Sequence, residues 1–316
     1  MHYCRHGDLD KHIAKHHSNP EGYLDYRRRW EEADGDLLCL QIETRSDCNL
    51  RCQMCVHSLE HRPFTEMSEE MFNRILGYVD EMRVPSVSLC FTNEPLLDKR
   101  IVDFIERTNS LDCVVDVMLT TNATLLDEEM SKRLLDSGLL RLWISFDAAA
   151  KETYEKIRVG ADYDTVRKNI LNFFELREKG GYVFPVVRMS FVLTALNQDE
   201  VELWFDAWKG MADSLRVQTF DPIPGTEALM PTEGIETAPV LGRQCDRPFK
   251  HMMINADGSG TPCCFHGELP SLGNIRDKSL QDMWHGPEME RLRWLLNTGM
   301  WKHREPCSKC LVKKQK

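Results

Sequence analysis

Between residues 37 and 220 the sequence alternates six short apolar runs with longer amphipathic stretches. The runs are Leu37–Glu43, Val87–Phe91, Val114–Leu119, Leu142–Phe146, Val186–Thr194 and Leu215–Phe220. Each is brief and rich in Val, Leu and Ile, as in parallel strands buried on both faces. The stretches between them carry apolar residues at helical spacing. Met71, Phe72, Ile75, Leu76, Val79 and Met82 fall on one side of a helix whose N-cap is Ser68. Further helices are read at Asp98–Thr108, Asp127–Ser137, Asp164–Arg177 and Asp199–Met211. Strand and helix in alternation give an α/β fold, with a parallel sheet and crossover helices. Six units are too few for a closed eight-fold barrel, so an open, partial (β/α)6 barrel is expected. Its active site belongs at the C-terminal ends of the strands.

Three segments are expected: a polar lead at 1–36, the barrel at 37–240 and a C-terminal module at 241–316. A helix over Tyr23–Glu32 would cover either the barrel or a substrate entrance, and the histidines of the lead read as solvated surface groups. A net charge of −10 argues against a nucleic-acid partner held by many phosphate contacts. Arg27-Arg28-Arg29 is flanked by Glu31 and Glu32 and reads as a solvated helix face. No apolar run reaches the roughly 18 residues of a membrane span. The N-terminus lacks a signal-peptide core, so a cytoplasmic chain without a membrane partner is expected.

Twelve cysteines in such a chain suggest metal ligation. Cys39, Cys90 and Cys113 lie in strand-like surroundings and read as small buried hydrophobes. Cys48, Cys52 and Cys55 follow the first strand at C-x3-C-x2-C spacing. Three thiolates can hold three corners of a [4Fe–4S] cube and leave one iron open to a cofactor. Zinc sites favour paired C-x2-C knuckles, although a zinc site with a distant fourth ligand fits the same residues. The pattern resembles the signature of radical S-adenosylmethionine (SAM) enzymes. That resemblance implies that SAM binds the open iron and is cleaved reductively to methionine and a 5′-deoxyadenosyl radical. It also implies an external reductant such as flavodoxin or ferredoxin. Met54 stands where that family places a side chain against the adenine.

Met252 to Gly260 reads as a strand, a tight Asp257-Gly258 turn and a second strand. Ser279 to Asn297 reads as a helix interrupted near Gly286-Pro287. Folded this way, Cys245, Cys263, Cys307 and Cys310 come together as four ligands, for a cubane or for zinc. The region resembles the SPASM/Twitch auxiliary-cluster module of the radical SAM family. The family's G-x4-C spacing selects Cys263 over Cys264, and the short chain after Cys310 fits the Twitch form with one auxiliary cluster. The implied cofactors are two [4Fe–4S] clusters and SAM.

The same resemblance supplies candidate SAM contacts. Phe91-Thr92-Asn93-Glu94-Pro95 keeps the Glu-Pro half of the family's Gly-Gly-Glu-Pro motif and replaces both glycines. Asn122 follows strand three, and Ser145 and Asp147 end strand four. Arg158, in Tyr154-Glu155-Lys156-Ile157-Arg158, matches the arginine that binds the SAM carboxylate, a group that a guanidinium fork suits. Arg188 is unusual inside an apolar strand and is the candidate catalytic group, either aimed at substrate or SAM or paired outside the barrel. Glu43 and Gln218 are weaker candidates for the proton acceptor.

The spacing Cys245-x17-Cys263-x43-Cys307-x2-Cys310 resembles that of the 2-deoxy-scyllo-inosamine dehydrogenases, which oxidise a secondary alcohol to a ketone. It implies oxidation of a sugar- or cyclitol-like small molecule, with the auxiliary cluster accepting an electron. Two other readings stand beside it. One is maturation of a ribosomal peptide by thioether, carbon–carbon or epimerising chemistry, which often comes with a longer N-terminal peptide-binding domain than 36 residues allow. The other is a non-enzymatic scaffold with two zinc sites.

Overall fold

The computed structural model describes residues 2–32, 35–59, 62–220, 226–231, 245–263, 271–303, 305 and 307–308. The expected boundary at 240/241, Cys264 and Cys310 lie outside them. Among the described residues one sheet dominates. Its strands are β1 (His2–Cys4), β2 (Cys39–Ile42), β3 (Ser86–Ser88), β4 (Asp116–Thr121), β5 (Arg141–Ser145), β6 (Val186–Leu193), β7 (Ser214–Thr219), β8 (His251–Ile254) and β9 (Gly260–Thr261). They lie in the order β1-β7-β6-β5-β4-β3-β2-β8-β9. Strands β2 to β7 are parallel throughout, and they are the six that the sequence marks. The N-terminal β1 adds antiparallel to β7, while the C-terminal hairpin adds β8 parallel to β2.

The helices numbered here are α1 (Leu9–His16), α2 (Pro20–Glu32), α3 (Glu69–Glu81), α4 (Ile101–Asn109), α5 (Glu128–Asp136), α6 (Tyr163–Lys179), α7 (Val201–Trp208), α8 (Leu280–Trp284) and α9 (Pro287–Asn297), and two short helical turns span Val56–Leu59 and Lys151–Ile157. Short polar side chains set their starts. Ser68 accepts from the Met71 amide, Asp127 from Met130 and Asp162 from Thr165. Helices α3 to α7 cover one face of the sheet. Phe72 of α3 and Phe104 of α4 stack at 3.9 Å inside that layer. Leu40, Val87, Leu119, Ile144, Met189 and Leu215 meet the helices from the strands. Burying each such side chain is worth about 1.5–3 kcal/mol.

The strands depart from the expectation of two apolar faces. Side chains alternate along a strand, and the face away from α3–α7 carries Gln41, Ser88, Thr120, Trp143, Ser190 and Gln218. The barrel therefore encloses a polar lumen. Its floor is the N-terminal lead. Ile13, Tyr23 and Tyr26 of α1 and α2 pack on Leu38, Val115, Leu140 and Val186, which precede or begin the strands. Arg141 joins this floor through Asp116 at 3.1 Å and Asp10 at 3.3 Å, and Asp10 also accepts from the Tyr23 hydroxyl at 2.5 Å. Helix α2 thus closes the end opposite the expected site. Two histidines of the lead are fixed groups and not freely solvated, since His6 meets Asp213 at 2.8 Å and His17 bonds the Val115 carbonyl at 2.9 Å. Among the described residues no helix is long and apolar enough to cross a membrane.

The C-terminal hairpin turns at Gly258, whose φ is +86°. A Cβ there would lie 2.8 Å from Asn274 Oδ1 and 3.0 Å from Ile275 Cγ2 and from Met71 Sδ of α3. Gly258→Ala is expected to cost about 1–2 kcal/mol from the left-handed backbone alone, with more from the contacts. A lower denaturant midpoint checks it.

Candidate active site

Six residues beyond β2, at the C-terminal edge of the sheet, the chain reaches Cys48. The loop is fastened at two places. Arg51–Cys52 pairs antiparallel with Arg158–Val159, and Gln53 bonds the Ile157 and Lys156 carbonyls at 2.9 and 2.7 Å. That pairing sets Arg158 Nη1 4.0 Å from Cys52 Sγ. The Leu50 amide and Asn122 Nδ2 point at Cys48 Sγ from 3.5 and 3.8 Å. Asn122 also bonds Asn49 Oδ1 at 3.0 Å, so the loop after β4 is tied to the cysteine loop. Burial pushes the Cys48 thiol up to about 12, and it raises Cys52 although Arg158 opposes it. Iron inverts that preference, because a bound thiol gives up its proton. Among the described residues no three Cys, His, Asp or Glu side chains form a ready metal cage.

The N–H groups aimed at sulfur suit a cluster thiolate, whose properties such bonds tune. The loop Thr92-Asn93 offers a fit for SAM as well. Asn93 Oδ1 accepts from the Phe91 amide, while its Nδ2 is buried without a partner among the described residues. A buried unsatisfied donor costs about 1–3 kcal/mol until an acceptor arrives, and an amino-acid carboxylate is such an acceptor. Met54 and Ser145 are partly buried, Met54 on the cysteine loop and Ser145 at the end of β5.

Glu94 is placed differently from a free ligand. Its carboxylate accepts from the Thr121 hydroxyl at 2.6 Å, the Asn122 amide at 2.7 Å and the Leu96 amide at 3.1 Å. Burial raises its pKa to about 7 against those bonds. It locks the loops after β3 and β4 together beneath the cysteines. Asp147 and Arg158 meet each other: Nη2 lies 2.5 Å from Oδ2. Asp147 also accepts from the Val192 amide at 2.7 Å. Burial works against charge on Arg158, but Asp147 holds its pKa above the ordinary value.

Arg188 faces the lumen, with its guanidinium 3.2 Å from the centroid of the Trp143 ring. Glu43 is fully buried and held by Arg62 through contacts of 2.9 and 2.7 Å, with the Thr92 hydroxyl donating at 2.9 Å. A carboxylate so engaged is a poor proton acceptor. Arg62 carried no sequence signal, since it belongs to no periodic pattern.

In the C-terminal segment Cys245 and Cys307 pack against one small cluster, Leu292, Leu296 and Trp301. Cys263 follows β9, and all three are partly exposed.

Residues 42–206 match the radical SAM superfamily, and residues 245–311 match the SPASM iron–sulfur cluster-binding domain. The chain belongs to the radical SAM superfamily and carries a C-terminal SPASM module; it is a radical SAM enzyme whose cofactors are [4Fe–4S] clusters and SAM. The two-zinc scaffold is thereby set aside. It is 26% identical over 215 residues to a GTP 3′,8-cyclase of Clostridium botulinum, across 66% of this chain and 64% of the cyclase. It is 23% identical to the tungsten-containing aldehyde ferredoxin oxidoreductase cofactor-modifying protein of Pyrococcus furiosus, across 85% of this chain and 86% of that protein. Among solved structures it resembles BtrN, 2-deoxy-scyllo-inosamine dehydrogenase, in complex with AdoMet and 2-DOIA, with a TM-score of 0.56, 17% identity and coverage of 87% and 92%. It also resembles Streptococcus suis SuiB bound to precursor peptide SuiA, with a TM-score of 0.66, 19% identity and coverage of 87% and 71%. At these identities the structural likeness shows the fold.

Proposed function

We propose that this enzyme oxidises a polar, hydroxylated small molecule of the sugar or cyclitol kind, taking a secondary alcohol to a ketone. The polar lumen carries the reading. Gln41, Ser88, Thr120, Ser190 and Gln218 face the space below the cysteine loop, where substrate hydroxyls can exchange hydrogen bonds with them and an apolar side chain of a peptide cannot. When bound, the reduced first cluster with SAM supplies a hydrogen-abstracting carbon radical, and the second cluster supplies a one-electron acceptor. Cys48, Cys52 and Cys55 would hold the first cluster; Cys245, Cys263, Cys307 and Cys310 would hold the second. The chain does the rest. Hydroxyl and amide groups of the lumen orient the substrate. The floor built from Asp10, Tyr23, Asp116 and Arg141 keeps water from entering behind it.

The test is anaerobic turnover with dithionite, scored separately for 5′-deoxyadenosine and for oxidised product. Cys307→Ala is expected to keep deoxyadenosine formation and lose the product. Product at the wild-type rate would remove the second cluster from the electron path. A second reading, peptide maturation, is favoured by the higher TM-score to SuiB with its precursor peptide. A cross-linked or epimerised peptide among the products, with polyols inert, selects it.

A further inference from the structure

The lumen wall formed by β6 and β7 carries more positive charge than its neighbours compensate. Arg188, partly buried, and Arg216, exposed to solvent, both lie on the lumen face of the sheet. The register pairs Arg188 with Ser214 and Ser190 with Arg216, so the two arginines are diagonal neighbours on adjacent strands. One strand spacing and a two-residue rise put such positions roughly 8 Å apart, within mutual reach of long side chains. His2 of β1 stands opposite Arg216 on the far side.

The buried aspartates around this wall are committed elsewhere. Asp116 is held by Arg141, Asp147 by Arg158, and Asp213 by Arg177 and His6. Among the described residues neither Arg188 nor Arg216 forms an ion pair. Arg188 lies on the Trp143 ring and spends its Nε–H on Ser190 Oγ at 3.2 Å. Its two terminal nitrogens remain for a ligand. Burial, and then Arg216 and Arg141, push its pKa down to about 9. A partly buried cation beside a second cation is costly without a counter-charge.

We propose that Arg188 and Arg216, with Ser190 between them, form an oxyanion subsite that binds a phosphate group on the substrate. This rests on the reading of a polar small-molecule substrate. A phosphate monoester brings nearly two negative charges to two guanidinium forks, whereas a carboxylate would leave one cation unmatched. Ser145, Ser190 and Arg216 share one layer of the sheet. Two strand spacings, roughly 10 Å, therefore separate Ser145 from the phosphate anchor. That span suits a phosphorylated polyol with its reacting carbon turned toward β5.

The experiment is calorimetric titration of the reconstituted full-length enzyme, with SAM bound, using inorganic phosphate and, separately, acetate at low ionic strength. Phosphate is expected to bind one to one and more tightly than acetate. Arg188→Gln and Arg216→Gln should each weaken phosphate by about tenfold or more, as for one lost charge-assisted hydrogen bond. In phosphate-free buffer both variants should unfold at the same temperature as wild type or higher, because a like-charge contact has gone; a merely structural role gives the opposite sign. Equal affinity for acetate, no phosphate binding, or binding unchanged in both variants overturns the proposal. The titration needs no turnover, so it fails or succeeds independently of the oxidation assay.

Discussion

Cys52→Ala is expected to reduce SAM cleavage to background while the fold survives. Cys52 is the cysteine of the triplet whose position is fixed most firmly. Its backbone pairs with Arg158, its carbonyl accepts from the Cys55 amide at 3.0 Å and from Ser58 Oγ at 2.7 Å, and its sulfur faces Arg158 Nη1. All these backbone bonds are kept by alanine, and the side chain is only partly buried, so the loop keeps its course. If the triplet holds the first cluster as proposed, what disappears is one of three ligands to a cube that has no protein ligand to spare. Iron should fall from about eight to about four atoms per chain, the content of the remaining cluster. The readouts are iron and sulfide content, the EPR signal of the reduced protein with and without SAM, and deoxyadenosine yield. Deoxyadenosine at wild-type levels from Cys52→Ala would remove the triplet from radical generation altogether.

Much of this arrangement is legible in the sequence because it is local. The strands and helices follow hydrophobic runs a few residues long, and Ser68 and Asp127 cap the helices they were read to start. The cysteine loop follows the first strand because six residues leave it nowhere else to go. The lumen face was harder to see. Runs such as Leu142–Phe146 look mostly apolar, yet Trp143 and Ser145 point inward, and a half-buried tryptophan satisfies an apolar count while lining a polar space. The Glu43–Arg62 contact and the role of Glu94 depend on loops from different strands meeting, and no spacing encodes that. The same holds for β1: three residues of a polar lead pair with the last parallel strand, more than 200 positions away. Asp147 and Arg158 were each legible as candidate contacts to SAM, but their meeting was not.

That meeting makes Arg158 the second site of large expected effect. The pair is sealed: Asp147 is 0% exposed and Arg158 6%. Removing one member of such a pair strands the other charge, at a cost of about 3–5 kcal/mol. Arg158→Met should therefore lower stability by about that much. Asp147→Asn should cost a comparable amount, because it keeps an acceptor for the Val192 amide but leaves the guanidinium uncompensated. The double variant should recover part of the loss, and the coupling in the cycle measures the pair. Arg158 has more to give than this pair uses. Its Nη2 meets Asp147 and its Nη1 faces Cys52, while its Nε is buried without a partner among the described residues. If Arg158 binds the SAM carboxylate, that Nε–H is the donor available for it. Arg158→Lys separates the two roles, since an ammonium can keep the charge opposite Asp147 but has no fork to reach a second acceptor. It should lose less stability than Arg158→Met, because a charge opposite Asp147 is kept. SAM affinity should fall about tenfold, as for the loss of one charge-assisted hydrogen bond. Unfolding midpoints and SAM titrations of the reconstituted enzyme give both numbers; a lysine variant that loses stability but keeps SAM affinity would make Arg158 a structural brace alone.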